Sequence, residues 1–226
     1  MTNVISIIVP TINEGRTIDS CLRQLSGMRN RGHEVIVVDG GSDDDTLVTA
    51  RPLADKVIQN QKGRARQMNA GAGLAKGDIY LFLHADTILP GDADRLILDC
   101  VKLYPDFWGR FDVKLSGTHW LLRVIGLFMN FRTRITGIVT GDHGIFVSRR
   151  WFETIGGYET IDIMEDISIS KRLKRLGRPV CLKASVITSS RRWEENGILR
   201  TVFKMWRLRL AYALGVNPDH LVTQYE

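Results

Sequence analysis

Two runs of β-branched residues near the N-terminus, separated by a helical pattern, restrict the fold of this chain more than any other feature. Residues 4–9 end at Pro10 and residues 34–38 end at Asp39, so both runs have the composition and the boundaries of buried strands. Between them, residues 17–25 carry apolar side chains at helical spacing, and a break is expected at 27–32. The chain is therefore predicted to begin with a β-α-β unit.

The alternation of strand and helix continues to Pro90 and then becomes less regular. In the first part we predict helices at 46–50 and 64–75 and strands at 56–58 and 79–83. In the second part we predict a bulky apolar stretch at 120–131, an exposed strand at 111–115, further strands at 144–147 and 180–187, and helices at 93–103, 151–155, 166–176 and 198–214. The predicted class is α/β and Rossmann-like, an open mixed, mainly parallel sheet with helices on both faces.

The composition fits a single globular domain over residues 1–226, because 44% of the residues are hydrophobic and 25% are charged. It excludes a disordered chain and a coiled coil. The apolar runs are much shorter than the ~20 residues of a membrane-spanning helix. The N-terminus lacks the basic flank and apolar core of a secretion signal, and the three cysteines form no CxxC pair. We therefore expect a cytoplasmic protein with reduced thiols.

The net charge of +6 is unevenly distributed along the chain. Residues 171–209 contain twelve Lys and Arg against two Glu, a local charge of +10, whereas the rest carries −4. The basic residues lack the interleaved aromatics of a nucleic-acid-binding segment, so no nucleic-acid partner is expected. The closing helix carries an apolar stripe of Phe203, Trp206, Leu210 and Leu214. We predict that the stripe packs on the domain; peripheral contact with the inner face of a membrane is the alternative.

Polar clusters follow three of the predicted strands, at residues 10–14, 39–44 and 84–86. Each cluster alone fits a turn or a helix cap, but together they predict one site, because ligands bind at the carboxyl edge of such sheets. The glycine patterns of dinucleotide and Walker sites are absent. Asp86 can hold a divalent cation that also binds phosphates, and Arg64 and Arg66 can neutralise phosphate charge. These parts predict a site for a nucleotide with a metal-bridged diphosphate.

Seven short motifs occur in a fixed order between residues 5 and 177. They are Pro10-Thr11-x-Asn13-Glu14, Val37-Val38-Asp39-Gly40-Gly41-Ser42-x-Asp44-x-Thr46, Gly63-x-x-Arg66-x-x-Asn69-x-Gly71, Ala75-x-Gly77-Asp78, Phe82-Leu83-His84-Ala85-Asp86, Gly156-Gly157-Tyr158 and Glu165-Asp166. In this order they resemble the motifs of family 2 glycosyltransferases, and the small single-domain bacterial members with a Phe-Leu-His-Ala-Asp-Thr motif in particular. The resemblance implies the GT-A fold and inverting transfer of a sugar from a nucleotide donor, with a UDP-sugar favoured.

The resemblance also implies roles for individual residues. Asp166 would be the catalytic base, with Glu165 orienting it or binding the acceptor, and Asp86 would bind Mn²⁺ or Mg²⁺. The nucleotide would contact Pro10, Thr11, Glu14, Asp39, Ser42, Arg66 and His84. Residues 1–90 would thus form the nucleotide-binding half, and residues 91–226, with the basic C-terminal helix, the acceptor-binding half.

Three features depart from the family's pattern or extend it. His84 replaces one carboxylate of the usual acidic pair, which favours Mn²⁺ or a ribose contact over tight Mg²⁺ binding. Asp142 and His143 form either a polar turn or a contact with the acceptor or a metal. A basic and aromatic element lies near the C-terminus, at Arg191, Arg192 and Trp193. We expect it to close over the donor. The indole of Trp193 would either stack on a sugar face or simply pack against the protein.

Three functional alternatives remain open at the level of sequence. The first is a glycosyltransferase with an unidentified hydroxyl acceptor, for which the basic segment is compatible with an anionic or lipid-linked molecule. The second is a catalytically weak nucleotide- or lipid-binding module of the same fold. The third is a nucleotidyltransferase, although the glycine-rich, Arg-containing loop of that class is missing from the N-terminal region. Without the resemblance, Asp166 is most simply a carboxylate that stabilises a helix N-terminus.

Overall fold

The computed structural model describes residues 3–225, and the strands within that range form one eight-stranded sheet. In chain order they are β1 (Ile5–Thr11), β2 (Glu34–Asp39), β3 (Lys56–Gln59), β4 (Ile79–Phe82), β5 (Thr87–Ile88), β6 (Trp108–Leu115), β7 (Ile145–Ser148) and β8 (Val180–Thr188). Across the sheet their order is β3-β2-β1-β4-β7-β6-β8-β5. Strands β3, β2, β1 and β4 are parallel, as are β6 and β8, whereas β7 and β5 run antiparallel to their neighbours. The predicted mixed, mainly parallel sheet is confirmed.

Helices connect the strands and cover the sheet. They are α1 (Ile18–Gln24), α2 (Ser26–Asn30), α3 (Thr46–Ala50), α4 (Arg64–Leu74), α5 (Ala93–Leu103), α6 (Trp120–Thr136), α7 (Arg149–Thr154), α8 (Glu165–Leu176), α9 (Arg191–Glu195), α10 (Ile198–Ala213) and α11 (Pro218–Tyr225), with a 3₁₀ turn at Gly141–His143. Within residues 3–225, no helix is both long and apolar enough to cross a bilayer.

The strand side chains alternate between two apolar cores. In β4, Ile79 and Leu81 belong to the core shared with α1 and α5, whereas Tyr80 and Phe82 belong to the core shared with α4 and α8. Successive side chains of a strand point to opposite faces, so a wholly apolar strand requires a helix layer on each side. A third, smaller core joins Ile167 of α8 to α10 and α11.

Three local predictions from the sequence are wrong. Residues 27–32 do not break the helical region, because α2 continues to Asn30. The strand predicted as exposed at 111–115 begins at Trp108 and is largely buried under α6. It carries the fully buried Arg110, whose Nη1 donates to the carbonyl of Phe111 (2.9 Å) and whose Nη2 donates to the carbonyl of Asn130 (3.1 Å). Two backbone carbonyls and the carboxylate of Asp112 thus partner the Nη atoms of a cation at a position where alternation alone predicts solvent.

The third wrong prediction concerns the apolar stripe of the last long helix. Phe203 and Leu214 are 73% and 77% exposed, and Trp206 and Leu210 are also exposed. The helix packs on the domain through its other face, where Leu208 and Thr201 are buried. Periodicity locates two faces on this helix, but it does not say which of them meets the protein.

The fold brings the ends of three strands to one edge of the sheet. Thr11 at the end of β1 pairs with Asp39 at the end of β2, and Ile8 of β1 pairs with Phe82 at the end of β4. The polar clusters that follow these strands therefore lie at the same edge, as parallel pairing requires.

Candidate functional site

The loops after β1 and β2 are bound to each other by side-chain to backbone hydrogen bonds. The amide of Asn13 donates to Ser42 Oγ (2.8 Å), and Asn13 Oδ1 accepts from the amide of Asp43 (2.9 Å). The amide of Glu14 donates to Thr46 Oγ1 (2.8 Å). Asn13 has a φ of 54°, a left-handed conformation that asparagine tolerates better than most residues. The two loops thus form one polar unit at the edge of the sheet.

Asp39 lies at the centre of this unit and is fully buried. Its Oδ2 accepts from the amides of Gly41 and Ser42, both at 2.9 Å, and its Oδ1 accepts from Ser42 Oγ. Thr11, also buried, lies beside it at the end of β1. A carboxylate held by three donors is fixed in orientation, and here it fixes the loop that follows β2.

Gln67 of α4 is a site residue that the sequence did not indicate. Its Nε2 donates to the carbonyls of Thr11 and Val38, each at 2.8 Å, and so ties the ends of β1 and β2 together. A side chain at Gly40 would place Cβ 3.1 Å from Gln67 Nε2, so the glycine leaves room for this amide. The available signal was helical spacing, because Gln67 follows Arg64 by three positions and shares its face.

A pocket at this edge brings together most of the residues predicted to bind the nucleotide and metal. It is lined by Pro10, Thr11, Ile12, Glu14, Arg64, Gln67, His84, Ala85 and Asp86. A neighbouring cavity of about 390 Å³ contains Arg66, which is ion-paired through Nη1 to Asp162 Oδ1 at 2.7 Å. Arg64 and Gln67 line both spaces. The predicted phosphate-binding arginines therefore flank one continuous region.

The two carboxylates predicted to act in catalysis open helix α8. Met164 precedes the helix with a φ of 66°, and Glu165 and Asp166 occupy the first turn. Glu165 is buried, whereas Asp166 is partly exposed and lines a pocket with Arg64 and Arg209. Asp166 Oδ2 accepts from the amide of Gly141 at 3.2 Å. Both carboxylates line that pocket, and Asp166 is the more exposed of the two.

The pKa values of both carboxyl groups are raised. For Glu165 the main cause is burial, and the negative charge of Asp166 adds to it. For Asp166 burial is again the main cause, and the amides of Gly141 and Ile167 oppose it by donating to the carboxylate. A carboxylate with a raised pKa accepts a proton more readily, which is a property of general bases.

The segment leading to these carboxylates is held by residues outside the predicted set. Asn69 of α4 exchanges two hydrogen bonds with the backbone of Tyr158, at 2.8 and 2.9 Å. Arg172 donates to the carbonyls of Ile155 (2.8 Å) and Gly157 (2.6 Å). Gly157 has a φ of 72°, and a Cβ there would lie 2.7 Å from Asn69 Oδ1. The Gly-Gly-Tyr motif is therefore a turn that fixes the approach to α8.

The 3₁₀ turn joins the nucleotide side of the site to the carboxylates. A Cβ on Gly141 would lie 2.5 Å from His84 Nε2, so the turn approaches the imidazole closely. Asp142 Oδ1 lies 3.7 Å from His84 Nδ1. Enclosure by protein alone would raise the pKa of Asp142, but the neighbouring His84, with His143 and Arg64, lowers it to about 2. Asp142 is therefore an anion beside His84.

Seven predicted residues do not line these pockets: Asp39, Ser42, Asp142, His143, Arg191, Arg192 and Trp193. His143 is fully buried with Nδ1 3.0 Å from Thr140 Oγ1, and burial together with the charge of Arg110 lowers its pKa to about 3. It lines none of the three pockets described above, and neither do Arg191, Arg192 and Trp193 on α9. Helix α9 begins close to Asp86 nevertheless, because Thr188 Oγ1 lies 3.0 Å from Thr87 Oγ1.

The site can hold a divalent cation only in cooperation with a ligand. Among the described residues, no three His, Cys, Asp or Glu side chains cluster closely enough to bind a metal by themselves. Asp86 and His84 do line one pocket, and Thr87 Oγ1 donates to Asp86 Oδ1 at 3.3 Å. This donor set fits a cation that takes its remaining oxygens from phosphates and water, as Mg²⁺ and Mn²⁺ do in nucleotide sites.

Arg132 of α6 is a further residue near the carboxylates that sequence reasoning missed. Burial lowers its pKa, whereas the charges of Asp166 and Asp142 raise it. Its Nε and Nη2 atoms are buried without a hydrogen-bond partner among the described atoms. Arg132 lies in a bulky apolar stretch, and no spacing rule connects it with Asp166, so the sequence contained no signal for it.

Comparison with known proteins agrees with this architecture. The chain is 37% identical over 98 residues to a PGL/p-HBAD biosynthesis glycosyltransferase of Mycobacterium bovis (strain BCG / Pasteur 1173P2), an alignment of 40% of this chain and 38% of the relative. It resembles the structure of S. aureus TarS 1-349 in complex with UDP-GlcNAc (TM-score 0.67, 18% identity, 82% of this chain and 58% of that one). It also resembles the mannosyltransferase PcManGT from Pyrobaculum calidifontis in complex with GDP-Man and Mn²⁺ (TM-score 0.64, 23% identity, 93% and 61%).

These likenesses establish the fold and the family. The chain spans less than two thirds of each of the three proteins, and the structural matches confirm the predicted GT-A architecture. The model of the family described as glycosyl transferase family 2 matches residues 6–156, well over half of the chain. The chain belongs to glycosyl transferase family 2.

Proposed function

We propose that this chain transfers a sugar from a nucleotide-diphosphate donor, with a UDP-sugar favoured, to a hydroxyl acceptor, and that the transfer inverts the anomeric carbon. The observation that carries the proposal is that Arg64 lines both the pocket of Thr11 and Asp86 and the pocket of Asp166. One cation shared by the two pockets suits a donor whose diphosphate lies beside a carboxylate base. The UDP-GlcNAc and GDP-Man complexes of the matching structures support the donor class.

The two halves of the chain would divide this work. Residues 1–90 would bind the nucleotide through Pro10, Thr11, Glu14, Asp39, Ser42, Arg66 and His84. Residues 91–226 would bind the acceptor and supply the base, with Asp142 beside the sugar. The network around Asp39 supports the first assignment by fixing the loop after β2, and Asp39 itself, which is fully buried, would reach a nucleobase only after Ser42 moved. Arg191, Arg192 and Trp193 would take part only if α9 moved towards the bound donor.

The reaction would be a direct displacement. The Asp166 carboxylate takes the proton of the acceptor hydroxyl while the hydroxyl oxygen forms a bond to the anomeric carbon. The bond from that carbon to the diphosphate oxygen breaks, and the nucleoside diphosphate leaves with the electron pair. Burial, with a smaller contribution from the charge of Asp142, raises the pKa of Asp166, which makes it a better proton acceptor. Arg64 would stabilise the negative charge that develops on the leaving group.

A divalent cation would complete the donor side. Asp86, with His84 as a second donor, would hold it, and the bound cation would neutralise charge on the departing diphosphate. The donor set favours Mn²⁺ over Mg²⁺, because an imidazole nitrogen is a poor ligand for Mg²⁺. The Mn²⁺ present in the mannosyltransferase complex supports a metal-dependent reaction.

The experiment is a donor panel with one catalytic variant. Release of nucleoside diphosphate is measured with UDP-glucose, UDP-GlcNAc and GDP-mannose, each with Mn²⁺ or Mg²⁺. We expect turnover of at least one donor, and a loss of about 10²- to 10⁴-fold in Asp166→Asn, because the variant removes the general base. Nucleotide binding measured by calorimetry should be unchanged. Glu153→Gln, an exposed carboxylate on α7, is the control and should leave turnover unchanged.

Two results would overturn the proposal. One is the absence of turnover with every donor and both metals. The other is turnover that Asp166→Asn does not lower. Metal-independent nucleotide binding without any sugar product would instead identify a binding module of the same fold.

A further inference from the structure

The exposed apolar surface of the described chain is concentrated on two helices. Helix α6 carries six large apolar side chains that are exposed, and α10 together with Leu214, which follows it, carries five. The two sets meet where the rings of Phe128 and Trp206 stack with centroids 5.8 Å apart. An apolar surface of this extent is unusual for a region that faces only water, and it marks a contact with another apolar phase or molecule.

The exposed side chains form one stripe on each helix. On α10 they stand at positions 199, 203, 206 and 210, continued by 214 directly after the helix, and on α6 at 120, 124, 127, 128, 131 and 135. Both series follow the 3.6-residue period, so each helix is amphipathic. The opposite face of each helix packs on the protein, where Leu122 and Met129 of α6 and Leu208 of α10 are buried. The stripes are therefore the faces directed away from the two sheet cores.

The charges beside the stripes have a single sign. Helix α6 contains three Arg, helix α10 contains three Arg and one Lys, and neither helix contains Asp or Glu. On α10, Arg200, Lys204 and Arg207 each follow a stripe residue by one position, about 100° around the helix axis. Aromatic and aliphatic side chains bordered by cations are the composition of helices that lie in the interface of an anionic membrane.

A groove between the helices leads towards the catalytic pocket. Its volume is about 420 Å³, and it is lined by both helices together with Lys171 of α8. Ile167 and Arg209 line this groove and also the pocket of Asp166. A molecule held at the α6–α10 surface would thus lie beside the entrance to the proposed acceptor side.

We infer that the α6–α10 surface docks on an anionic lipid bilayer, with the two stripes at the boundary of headgroups and acyl chains and the cations towards lipid phosphates. Charge distinguishes this occupant from a second copy of the chain. A two-fold contact would bring the same patch against itself, so Arg200, Lys204 and Arg207 of each copy would meet their counterparts with no acidic residue on either helix. An anionic bilayer instead pairs with every part of the patch.

The test is sedimentation of the protein with vesicles of phosphatidylcholine alone or mixed with phosphatidylglycerol, in the absence of a sugar donor. We expect binding only to the anionic vesicles, and weaker binding at high salt. The double variant Phe203→Ser/Leu214→Ser should weaken binding at least tenfold, because it removes two apolar side chains from the interface. Leu103→Ser, on α5 and 74% exposed, is the matched control and should bind as the unmodified chain does.

A second set of variants tests the charges. Arg200→Gln and Arg207→Gln should each lower the affinity for anionic vesicles about fivefold, the factor expected for one cation near the surface. Lys76→Gln, an exposed cation after α4, is the control. Absence of vesicle binding, or equal binding to both kinds of vesicle, would overturn the inference. So would a dimer that Phe203→Ser converts to a monomer, since that result would assign the surface to a second copy.

Discussion

The part of the chain up to Pro90 and the part after it differ in how their buried polar groups are satisfied. In the first part, the buried Asp39 and Gln67 bond to backbone groups of the loops and strand ends at the carboxyl edge of the sheet. In the second part, Arg110, Arg132 and His143 keep buried nitrogens without hydrogen-bond partners. Among the described side chains, every buried nitrogen or oxygen atom lacking a partner belongs to a residue after Ala93.

The buried polar groups of the first part are thus hydrogen-bonded within the protein, whereas the second part contains buried cationic groups with unpaired N–H atoms. The proposed nucleotide side is pre-organised, because its buried polar groups already have fixed partners. On the other side, the cationic Arg132 and Arg209 lie near Asp166 with unpaired N–H groups. Anionic groups on an acceptor would satisfy such donors. The contrast therefore supports a rigid donor site and an acceptor site that is completed on binding.

A matched pair of substitutions tests that contrast with the largest expected effects on stability. Gln67 and Asn130 are buried amides that each bond to two backbone groups, one in each part of the chain. Asn130→Leu leaves the N–H and the carbonyl of Val113 unpaired, and we expect unfolding stability to fall by about 2–3 kcal/mol. Gln67→Leu should cost about 1–2 kcal/mol, because the carbonyl of Thr11 also accepts from the amide of Gly40.

Nucleotide affinity should rank the two variants in the opposite order, with the larger loss in Gln67→Leu. Gln67→Leu loosens the ends of β1 and β2 and removes a lining residue of the donor pocket, so UDP binding should weaken about tenfold or more. Asn130→Leu should leave UDP binding unchanged. Urea unfolding and calorimetry measure the two effects separately. Equal losses of UDP affinity in both variants would show that the donor site depends on the whole chain.

The sequence predicted the arrangement of the proposed donor side far better than that of the proposed acceptor side, and the reason is physical. The apolar composition of strands such as β4 predicts that they are buried. The polar residues that follow such strands lie at one edge of the sheet when the strands are parallel. No such rule predicts the environment of Arg132 or the exposure of the stripe at Phe203, because both depend on how α6 and α10 pack. Short-range rules also missed Gln67, whose partners lie 56 and 29 residues away.

A second prediction concerns pH and again compares the two parts. His143 is buried with a pKa of about 3, whereas an unfolded chain protonates histidine near pH 6.5. Below pH 6.5 the unfolded state therefore binds more protons, and stability falls as the pH falls. We expect this residue to account for a loss of about 2 kcal/mol between pH 7 and pH 5.

Urea midpoints at pH 7, 6 and 5 measure this slope, and His143→Gln should flatten it. His33, in the first part, is also buried with a lowered pKa, but Asp94 opposes the effect of burial, with its Oδ2 3.3 Å from His33 Nε2. His33→Gln should therefore change the slope less than His143→Gln. If the two variants flatten the slope equally, protonation of the buried histidine costs no more stability in the second part than in the first.

The smallest expected effect comes from the ion pair that bridges the two parts beside the larger cavity. Arg66 and Asp162 are both partly exposed, so Asp162→Asn should change unfolding stability by about 0.5 kcal/mol or less. The substitution also removes the carboxylate that competes with a diphosphate for Arg66, and UDP affinity should rise about two- to threefold at low salt. Asp99→Asn breaks a similar exposed pair with Lys102 far from the donor pocket and should leave UDP affinity unchanged. Unchanged UDP affinity in both variants would mean that Arg66 serves the link between the parts and takes no share in binding phosphate.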